Sequence, residues 1–231
     1  MMKLTSTNPS RNYEVLGEVT TTTPAEVAAA VAKARAAQPA WQILGVQGRV
    51  AALDKLTSIF ERRRDELAGM ASREMGIPIR DSDLDITFGM DYWTWYLANA
   101  EEHLRPIVTY KDEVEIAEVH LEPCGVAASI VPWNFPFSNF IWGVGQSLIA
   151  GNTVVFKCSE ETPLFGKLLD ECFREAMVPS GVFIQLYGSG DVGAELLKQP
   201  VDLITFTGSS ATGKAIYKTA AEKMIPVLME L

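Results

Sequence analysis

A chain of 231 residues, 48% of them hydrophobic and 21% charged, has the composition of a globular protein, and this excludes a disordered chain. The 29 acidic residues outnumber the 20 basic ones, and the net charge of -9 argues against nucleic acid and anionic membranes as partners. Three cysteines without a CxxC motif and two distant histidines argue against a disulfide framework and a metal site. We therefore expect reduced thiols in a cytoplasmic protein, with no signal peptide and no membrane span.

The N-terminal part of the sequence predicts an irregular arm followed by three helices. Turn signals dominate residues 1–23, where we expect the arm. Thr23 and Pro24 are typical of a helix start, because the hydroxyl can cap the helix and proline fits its first turn. Apolar residues at helical spacing predict further helices over about 47–75 and 80–102. The aromatic residues of the third helix are expected in the core, namely Trp93, Trp95 and Tyr96.

Residues 106–122 predict a β-hairpin. Apolar residues alternate with polar ones on both sides of the turn Lys111-Asp112-Glu113. Acidic residues along this segment are typical of an exposed strand edge, because their charge discourages pairing with other chains.

From Gly125 onwards, apolar strands and helices alternate regularly. The predicted strands cover 126–131, 153–156, 182–187, 203–206 and 226–229, and the predicted helices about 138–150, 163–177, 191–197 and 211–223. Strands of continuous apolar character, separated by helices, indicate a parallel sheet that is covered on both faces. The fold class predicted from the sequence is therefore α/β, a doubly wound, Rossmann-like parallel sheet with N-terminal helices and a protruding β-hairpin.

The first strand of this pattern ends in Pro132-Trp133-Asn134-Phe135-Pro136. Two prolines make the turn rigid, so that the side-chain amide of Asn134 becomes a fixed hydrogen-bond donor. A fixed donor suits the stabilisation of an oxyanion that develops during a reaction. The alternative is a stiff structural turn in which Asn134 caps the next helix, and residue types alone favour this alternative.

The second strand is followed by Lys157-Cys158-Ser159-Glu160. An acid at this point of a dinucleotide-binding sheet grips the ribose hydroxyls, and Lys157 can add a contact. A solvated charged loop explains the same residues equally well. The third strand ends in the G-x-G-x-x-G motif Gly188–Gly193, which contains Gly190 and Asp191. Because of its position and its acid, we interpret this motif as a tight turn near the adenosine, and not as the phosphate cradle.

The last two strand ends carry a second group of candidates. Thr207, Gly208 and Ser209 follow the fourth strand, with Gly213 one helical turn later. Small residues and hydroxyls at a helix N-terminus predict an anion site, made of free backbone N–H groups and the helix dipole. Ordinary capping by Ser209 is the alternative. The fifth strand ends in Glu230, which can act as a general base, the alternative being a chain-end acid without a role.

Several specific motifs occur in a characteristic order: Ala37-Gln38-Pro39-Ala40-Trp41, Glu122–Val126, Pro132–Pro136, Gly151–Glu160, Phe206–Ser209 and Leu228–Leu231. Together they resemble the aldehyde dehydrogenase superfamily, and the resemblance covers essentially the whole chain. The segments Phe137–Phe140 and Gly143–Gln146 look like those of succinate-semialdehyde dehydrogenase-like members. The resemblance identifies the chain with the N-terminal NAD-binding part of such an enzyme.

The resemblance implies an oxidoreductase that converts an aldehyde to a carboxylate with NAD, or with NADP as the alternative cofactor. A cysteine thiolate attacks the aldehyde, Asn134 helps to bind the oxyanion, and Glu230 activates the water that hydrolyses the thioester. The implied cofactor contacts are Pro132, Trp133, Lys157, Ser159, Glu160, Gly190, Thr207, Gly208, Ser209 and Gly213. Glu160 repels a 2′-phosphate, so we expect a preference for NAD over NADP.

The resemblance also divides the chain into a dinucleotide-binding domain, 1–105 and 125–231, and an arm, 106–124. We expect the arm to form a homo-oligomer by strand pairing. The family's nucleophilic cysteine and its catalytic domain are absent from the sequence. We therefore expect this chain alone to be inactive toward its small-molecule aldehyde. The alternative is a non-catalytic module that binds NAD or a partner protein.

Three cysteines remain outside these roles. We expect Cys124, at a strand entrance, and Cys172, within a helix, to be packing residues. Cys158 lies beside the expected ribose contacts, where we expect it to be exposed.

Overall fold

The computed structural model describes residues 2–231, and it begins with a two-stranded hairpin instead of the predicted irregular arm. Strand β1 (Lys3–Asn8) pairs antiparallel with β2 (Glu14–Thr20), and the register shifts between Ser6 and Thr7. The prediction of an irregular arm was wrong. A β-bulge adds one residue to a strand and interrupts the alternation by which the strand is recognised in a sequence.

Four helices follow the first hairpin: α1 (Pro24–Ile43), α2 (Gly45–Arg62), α3 (Arg64–Met75) and α4 (Ile79–Leu104). Thr23 caps α1 as predicted, and Glu26 completes the capping box by accepting from the Thr23 backbone N–H. The helix predicted over 47–75 is divided at Arg63, whose backbone leaves the helical region. Apolar spacing continues through this break, so the sequence pattern did not reveal it.

The second hairpin has the predicted form. Strand β3 (Ile107–Lys111) pairs antiparallel with β4 (Ile116–Val119), and every residue of both strands is exposed. Asp112 stabilises the turn by accepting hydrogen bonds from the backbone N–H groups of Val114 and Glu115, at 2.7 and 2.8 Å.

The main sheet has five parallel strands, as the sequence predicted. They are β5 (Val126–Ile130), β6 (Thr153–Lys157), β7 (Phe183–Leu186), β8 (Leu203–Thr207) and β9 (Val227–Glu230). Their order in the sheet is β7-β6-β5-β8-β9. The chain therefore starts in the middle, moves to one edge and then crosses to the other, which confirms the doubly wound, Rossmann-like fold.

The connections of the main sheet are helical: α5 (Pro136–Phe140), a π-helical turn (Ile141–Gly145), α6 (Gln146–Ile149), α7 (Pro163–Glu175), α8 (Gly190–Lys198) and α9 (Ser210–Glu222). The single helix predicted over 138–150 thus contains a π-turn, a feature that is frequent at functional sites.

Two apolar cores lie on opposite faces of the main sheet. One contains side chains of α1, α8 and α9, together with Ala128 and Ile204 of the central strands. The other contains side chains of α2 to α7, together with Ala127 and Leu203. Because neighbouring residues of one strand serve different cores, the strands are apolar throughout.

Candidate functional site

The carboxyl ends of the four neighbouring strands β6, β5, β8 and β9 lie side by side at one end of the main sheet. We call this end of the sheet its carboxyl edge. After β5 the chain turns toward β6, whereas β8 lies on the other side of β5, so the strand order reverses between β5 and β8. Ligands of open α/β sheets bind in the crevice at such a reversal. Trp133, Glu160 and Ser209 follow β5, β6 and β8, and the structure therefore brings these predicted site residues to the same edge.

The turn after β5 presents Asn134 to solvent. Asn134 is exposed, and its side chain forms no hydrogen bond to any other residue in the part of the chain that the structure describes, 2–231. The alternative in which Asn134 caps α5 is therefore wrong. Its amide is free to bind a ligand.

A buried carboxylate from α4 caps α5 instead. Asp85 is 1% exposed and accepts hydrogen bonds from the backbone N–H groups of Phe137 and Ser138, at 2.9 and 3.0 Å. Burial raises the pKa of Asp85, and the hydrogen bonds from Ser138 and Phe137 oppose this shift. Gly89 lets α4 approach this closely, since a Cβ atom there would lie 2.3 Å from the Phe137 ring. Asp85 thus fixes the helix that begins directly after the Asn134 turn.

The loop after β6 contains an ion pair between a buried lysine and a half-buried glutamate. The Lys157 ammonium donates to the Glu160 carboxylate at 3.0 Å, and the Lys157 side chain is 5% exposed. Ser159 is buried, and its hydroxyl oxygen accepts from the Glu161 backbone N–H at 3.2 Å. A solvated charged loop does not bury its lysine, so the structure favours the alternative of an organised site.

A second buried carboxylate caps α7, the helix after this loop. Glu74 of α3 accepts from the backbone N–H groups of Leu164 and Phe165, at 2.9 and 2.8 Å, and from the Ser6 hydroxyl at 2.5 Å. Burial raises the pKa of Glu74 to about 7, against the lowering effect of these hydrogen bonds. Glu74 therefore fixes the first hairpin, α3 and α7 together.

A cavity of about 360 Å³ lies between α8 and α9, next to the Lys157–Glu160 ion pair. Its lining includes Ile130, Lys157, Gly190, Gly193, Ala194, Leu197, Phe206, Ala215 and Ile216. A Cβ atom at Gly193 would make ordinary contacts, 3.6 Å from the Ile130 side chain and 3.7 Å from that of Lys157, so Gly193 faces these two residues across the cavity. The sequence placed Gly190 near the adenosine. It did not identify the apolar walls, because they come from helix faces that also resemble ordinary core.

The N-terminus of α9 has the predicted hydroxyl cap. Ser209 accepts from the Thr212 backbone N–H at 3.2 Å and donates to the Thr212 hydroxyl at 2.9 Å. Capping is thus real, and it is compatible with an anion site, since the helix dipole still favours negative charge there. Gly208 is required because a Cβ atom would lie 2.6 Å from the Phe206 ring. Gly213 contacts Leu231, and its predicted contact with a cofactor stays a prediction.

The Glu230 carboxylate lies on the other side of the strand reversal. Glu230 is exposed and pairs in register with Thr207. With Trp142, Gly143 and Thr205 it lines a second cavity of about 250 Å³. The sequence had not identified these three cavity residues, because they lie on a helix and a strand that are otherwise apolar.

Aromatic side chains of α4 lie next to this second cavity. Trp142 packs edge to face against Tyr92, with ring centroids 5.5 Å apart. Trp93 is buried as predicted, but Trp95 is 53% exposed, so its prediction as a core residue was wrong. Trp95 is two residues from Trp93 and therefore lies on a different face of the helix.

The sequence profile of the aldehyde dehydrogenase family matches residues 2–231. The chain belongs to the aldehyde dehydrogenase family. The same family is found among solved structures of similar fold. This chain matches an NAD-dependent aldehyde dehydrogenase from Sinorhizobium meliloti with a TM-score of 0.93 and 33% identity, over 100% of this chain and 47% of that one.

Two further structures of similar fold were solved with a bound cofactor. PnpE in complex with nicotinamide adenine dinucleotide has a TM-score of 0.93 and 34% identity, over 100% of this chain and 47% of that one. An NADP-dependent glyceraldehyde-3-phosphate dehydrogenase from Bacillus halodurans, complexed with NADP, has a TM-score of 0.92 and 29% identity, over 100% and 49%. The chain thus spans about half the length of these solved proteins.

The cysteines of this aldehyde dehydrogenase chain differ in exposure from the predictions. Cys124 is exposed, so its prediction as a packing residue was wrong, and Cys172 is buried as predicted. Cys158 is also buried, and the prediction of an exposed thiol was wrong. Its sulfur points toward α7, where a Cβ atom at Gly166 would lie 2.7 Å away. Burial raises the pKa of Cys158 to about 12 and that of Cys172 to about 11, which makes both poor nucleophiles.

Two kinds of feature are absent from residues 2–231. No helix in this range combines the length and apolar character that crossing a membrane requires. The same range contains no group of three histidine, cysteine, aspartate or glutamate side chains arranged to hold a metal ion.

Proposed function

We propose that this chain binds NAD and supplies two catalytic side chains to an enzyme that oxidises an aldehyde to a carboxylate. One observation carries the proposal: the cavity between α8 and α9 and the Lys157–Glu160 pair share a sheet edge with Asn134 and Glu230. A cofactor site and two groups suited to acyl chemistry therefore border one crevice.

The residues at this edge fit an extended dinucleotide. The apolar cavity between α8 and α9 suits adenine, and Glu160 with Lys157 suits the ribose hydroxyls. The N-terminus of α9, at Ser209, suits the pyrophosphate. The remaining contacts we propose are Pro132, Trp133, Ser159, Gly190, Thr207, Gly208 and Gly213. When NAD is bound, its nicotinamide ring supplies the hydride acceptor.

The catalytic roles we propose use the two exposed polar side chains. The amide of Asn134 donates a hydrogen bond to the oxygen that becomes negative when a thiolate adds to the aldehyde. Glu230 takes a proton from the water that hydrolyses the resulting acyl group. The buried thiols of Cys158 and Cys172 do not suit the nucleophile, and Cys124 lies at the start of β5, away from the carboxyl edge. We therefore place the nucleophile in polypeptide outside this sequence.

The domain division is part of the same proposal. Residues 1–105 and 125–231 form the dinucleotide-binding domain, and 106–124 form the arm. Its support is the exposure of apolar side chains on both strands of the arm, including Ile107 at 54% and Ile116 at 57%. Exposed apolar strands favour pairing with another copy of the chain. Sedimentation equilibrium checks this, and a strictly monomeric protein at high concentration would contradict it.

Within the family, we propose a succinate-semialdehyde dehydrogenase-like enzyme, on the segments Phe137–Phe140 and Gly143–Gln146. Comparison of kcat/KM for succinate semialdehyde and benzaldehyde in the complete enzyme tests this. A preference for benzaldehyde would contradict it. Three unpaired cysteines further favour a reducing compartment, so we propose a cytoplasmic location.

Calorimetric titration of the 231-residue chain with NAD and NADP tests the cofactor proposal. We expect binding of both, with NAD tighter because Glu160 repels a 2′-phosphate. Glu160→Gln should reduce the difference in affinity between NAD and NADP. Tighter binding of NADP than of NAD by the unsubstituted chain would contradict the proposed preference. NAD binding without aldehyde oxidation by the complete enzyme would instead support a non-catalytic module.

A further inference from the structure

Two buried hydroxyl groups lie next to each other on the sheet face that packs against the π-helical turn. Ser129 and Thr205 pair in register across β5 and β8, and they are 0% and 6% exposed. Neither side-chain oxygen has a hydrogen-bond partner among residues 2–231. Since burial of an unpartnered hydroxyl is unfavourable, this pair indicates a small polar ligand.

Gly143 of the π-helical turn covers both hydroxyls. A Cβ atom at this residue would lie 2.6 Å from the Ser129 oxygen and 3.1 Å from the Thr205 oxygen. Any larger residue would therefore collide with the pair. Glycine lets the π-helical turn pack directly against the two hydroxyls.

Thr205 of this pair lines the second cavity together with Glu230, and Ser129 lies beside it on β5. Thr205 and Thr207 lie on the same face of β8, because alternate residues of a strand share a face. Thr207 in turn pairs in register with Glu230. Hydroxyl groups thus lead from the Glu230 carboxylate into the molecule. A cavity of about 250 Å³ has room for several water molecules, each with a share of about 30 Å³ in the liquid.

We propose that Ser129 and Thr205 bind an ordered water, and that cavity waters between it and Glu230 exchange a proton with this carboxylate. The inference rests on the proposed role of Glu230 as a general base. After Glu230 has accepted a proton, its O–H bond breaks while a new O–H bond forms on a cavity water. The water chain then releases one proton to solvent, and the carboxylate is restored without any electron transfer.

The water itself can be counted in the 231-residue chain. Thr205→Val replaces the hydroxyl by a methyl group of similar shape, and Thr5→Val makes the same change at an exposed position of β1, outside the cavity. Magnetic relaxation dispersion of water counts long-lived internal waters. We expect Thr205→Val and the double variant Ser129→Ala/Thr205→Val to lose at least one, and Thr5→Val to lose none. An unchanged number in all three variants would overturn the proposal.

Thermal unfolding gives an independent measurement on the same variants. At a dry site, replacement of an unpartnered hydroxyl by a methyl group raises the Tm. At a hydrated site the variant loses the hydrogen bonds of the water, so the Tm falls. We expect the Tm of Thr205→Val to be lower than that of Thr5→Val. The control variant Thr5→Val corrects for the difference in strand propensity between threonine and valine. A Tm above that of Thr5→Val would contradict a bound water.

Kinetics of the complete enzyme that contains this chain separate this inference from the proposed function. We expect Thr205→Val to leave NADH formation in a single turnover unchanged and to slow steady-state turnover about tenfold, since only the latter requires proton release from Glu230. An unchanged steady-state rate would contradict the proton exchange. If the unsubstituted enzyme forms no NADH, the proposed function fails, whereas the water count still decides whether the hydroxyl pair is hydrated.

Discussion

The crevice at the carboxyl edge of the main sheet has two halves, which are supported in the same way. The adenosine half consists of the cavity between α8 and α9 and the Lys157–Glu160 pair, and the catalytic half consists of Asn134 and Glu230 with the second cavity. In each half, a loop with functional side chains is followed by a helix, and a buried carboxylate from the N-terminal helices caps the N-terminus of that helix. Glu74 caps α7 beside the adenosine half, and Asp85 caps α5 beside the catalytic half.

The two halves differ in how far their functional side chains are enclosed. The Lys157 side chain is 5% exposed and already hydrogen-bonded, whereas Asn134 and Glu230 are both exposed. A pre-organised pair loses little freedom when it binds a ligand, so the adenosine half suits binding by this chain alone. Exposed side chains are not yet held by neighbours. The positions of Asn134 and Glu230 in the catalytic half therefore depend more on groups that a ligand or further polypeptide brings to them.

The largest effect on NAD affinity is expected from filling the adenosine half. Gly193→Leu places a branched side chain in the cavity between α8 and α9, where a Cβ atom already contacts Ile130 and Lys157. We expect NAD affinity, measured by calorimetry, to fall about 100-fold, or about 2.7 kcal/mol. Gly69→Leu is the matched control, because open space surrounds that glycine. Equal affinities of the two variants would place the adenine elsewhere.

The second effect concerns the support of the adenosine half. Burial raises the pKa of Glu74 from 4.5 to about 7, so the folded chain binds this proton more tightly than the unfolded chain. Its contribution to stability is complete below pH 4.5 and is lost as the pH rises through 7. We expect the free energy of unfolding to fall by about 3 kcal/mol across this range. Urea unfolding at several pH values measures it, and Glu74→Gln should flatten the profile. A profile that rises with pH would exclude this assignment.

These two supports also show what could be predicted from the sequence. The strand ends were predicted because apolar runs, prolines and glycines are local signals, and Asn134 and Glu160 lie directly beside such runs. Asp85 and Glu74 were not predicted, because their partners are at least 52 and 68 residues away in the sequence. No local pattern distinguishes a buried capping acid from a solvated acid on a helix. The first hairpin was missed for a related reason, since its bulge breaks the local alternation.

The support of the catalytic half should have a smaller effect on stability. Asp85→Ala leaves the backbone N–H groups of Phe137 and Ser138 without their acceptor, which we expect to cost about 2 kcal/mol. For a chain of this size the Tm should fall by about 4 to 8 °C in calorimetry. Asp91→Ala, at an exposed position of α4, should change little. Similar shifts for both variants would show that the buried cap contributes no more than a surface acid.

The smallest effect is expected from the ion pair of the adenosine half, and it tests directly whether enclosure implies binding. Lys157→Met keeps the length of the side chain and removes the ammonium that orients the Glu160 carboxylate at 3.0 Å. We expect NAD affinity to fall about tenfold, or about 1.4 kcal/mol, because both ribose contacts weaken together. Lys3→Met removes the ammonium of the exposed pair with Glu18 and should leave NAD affinity unchanged. If Lys157→Met binds NAD as tightly as Lys3→Met, the Lys157–Glu160 pair serves only the loop, and the pre-organisation of the adenosine half rests on its apolar cavity alone.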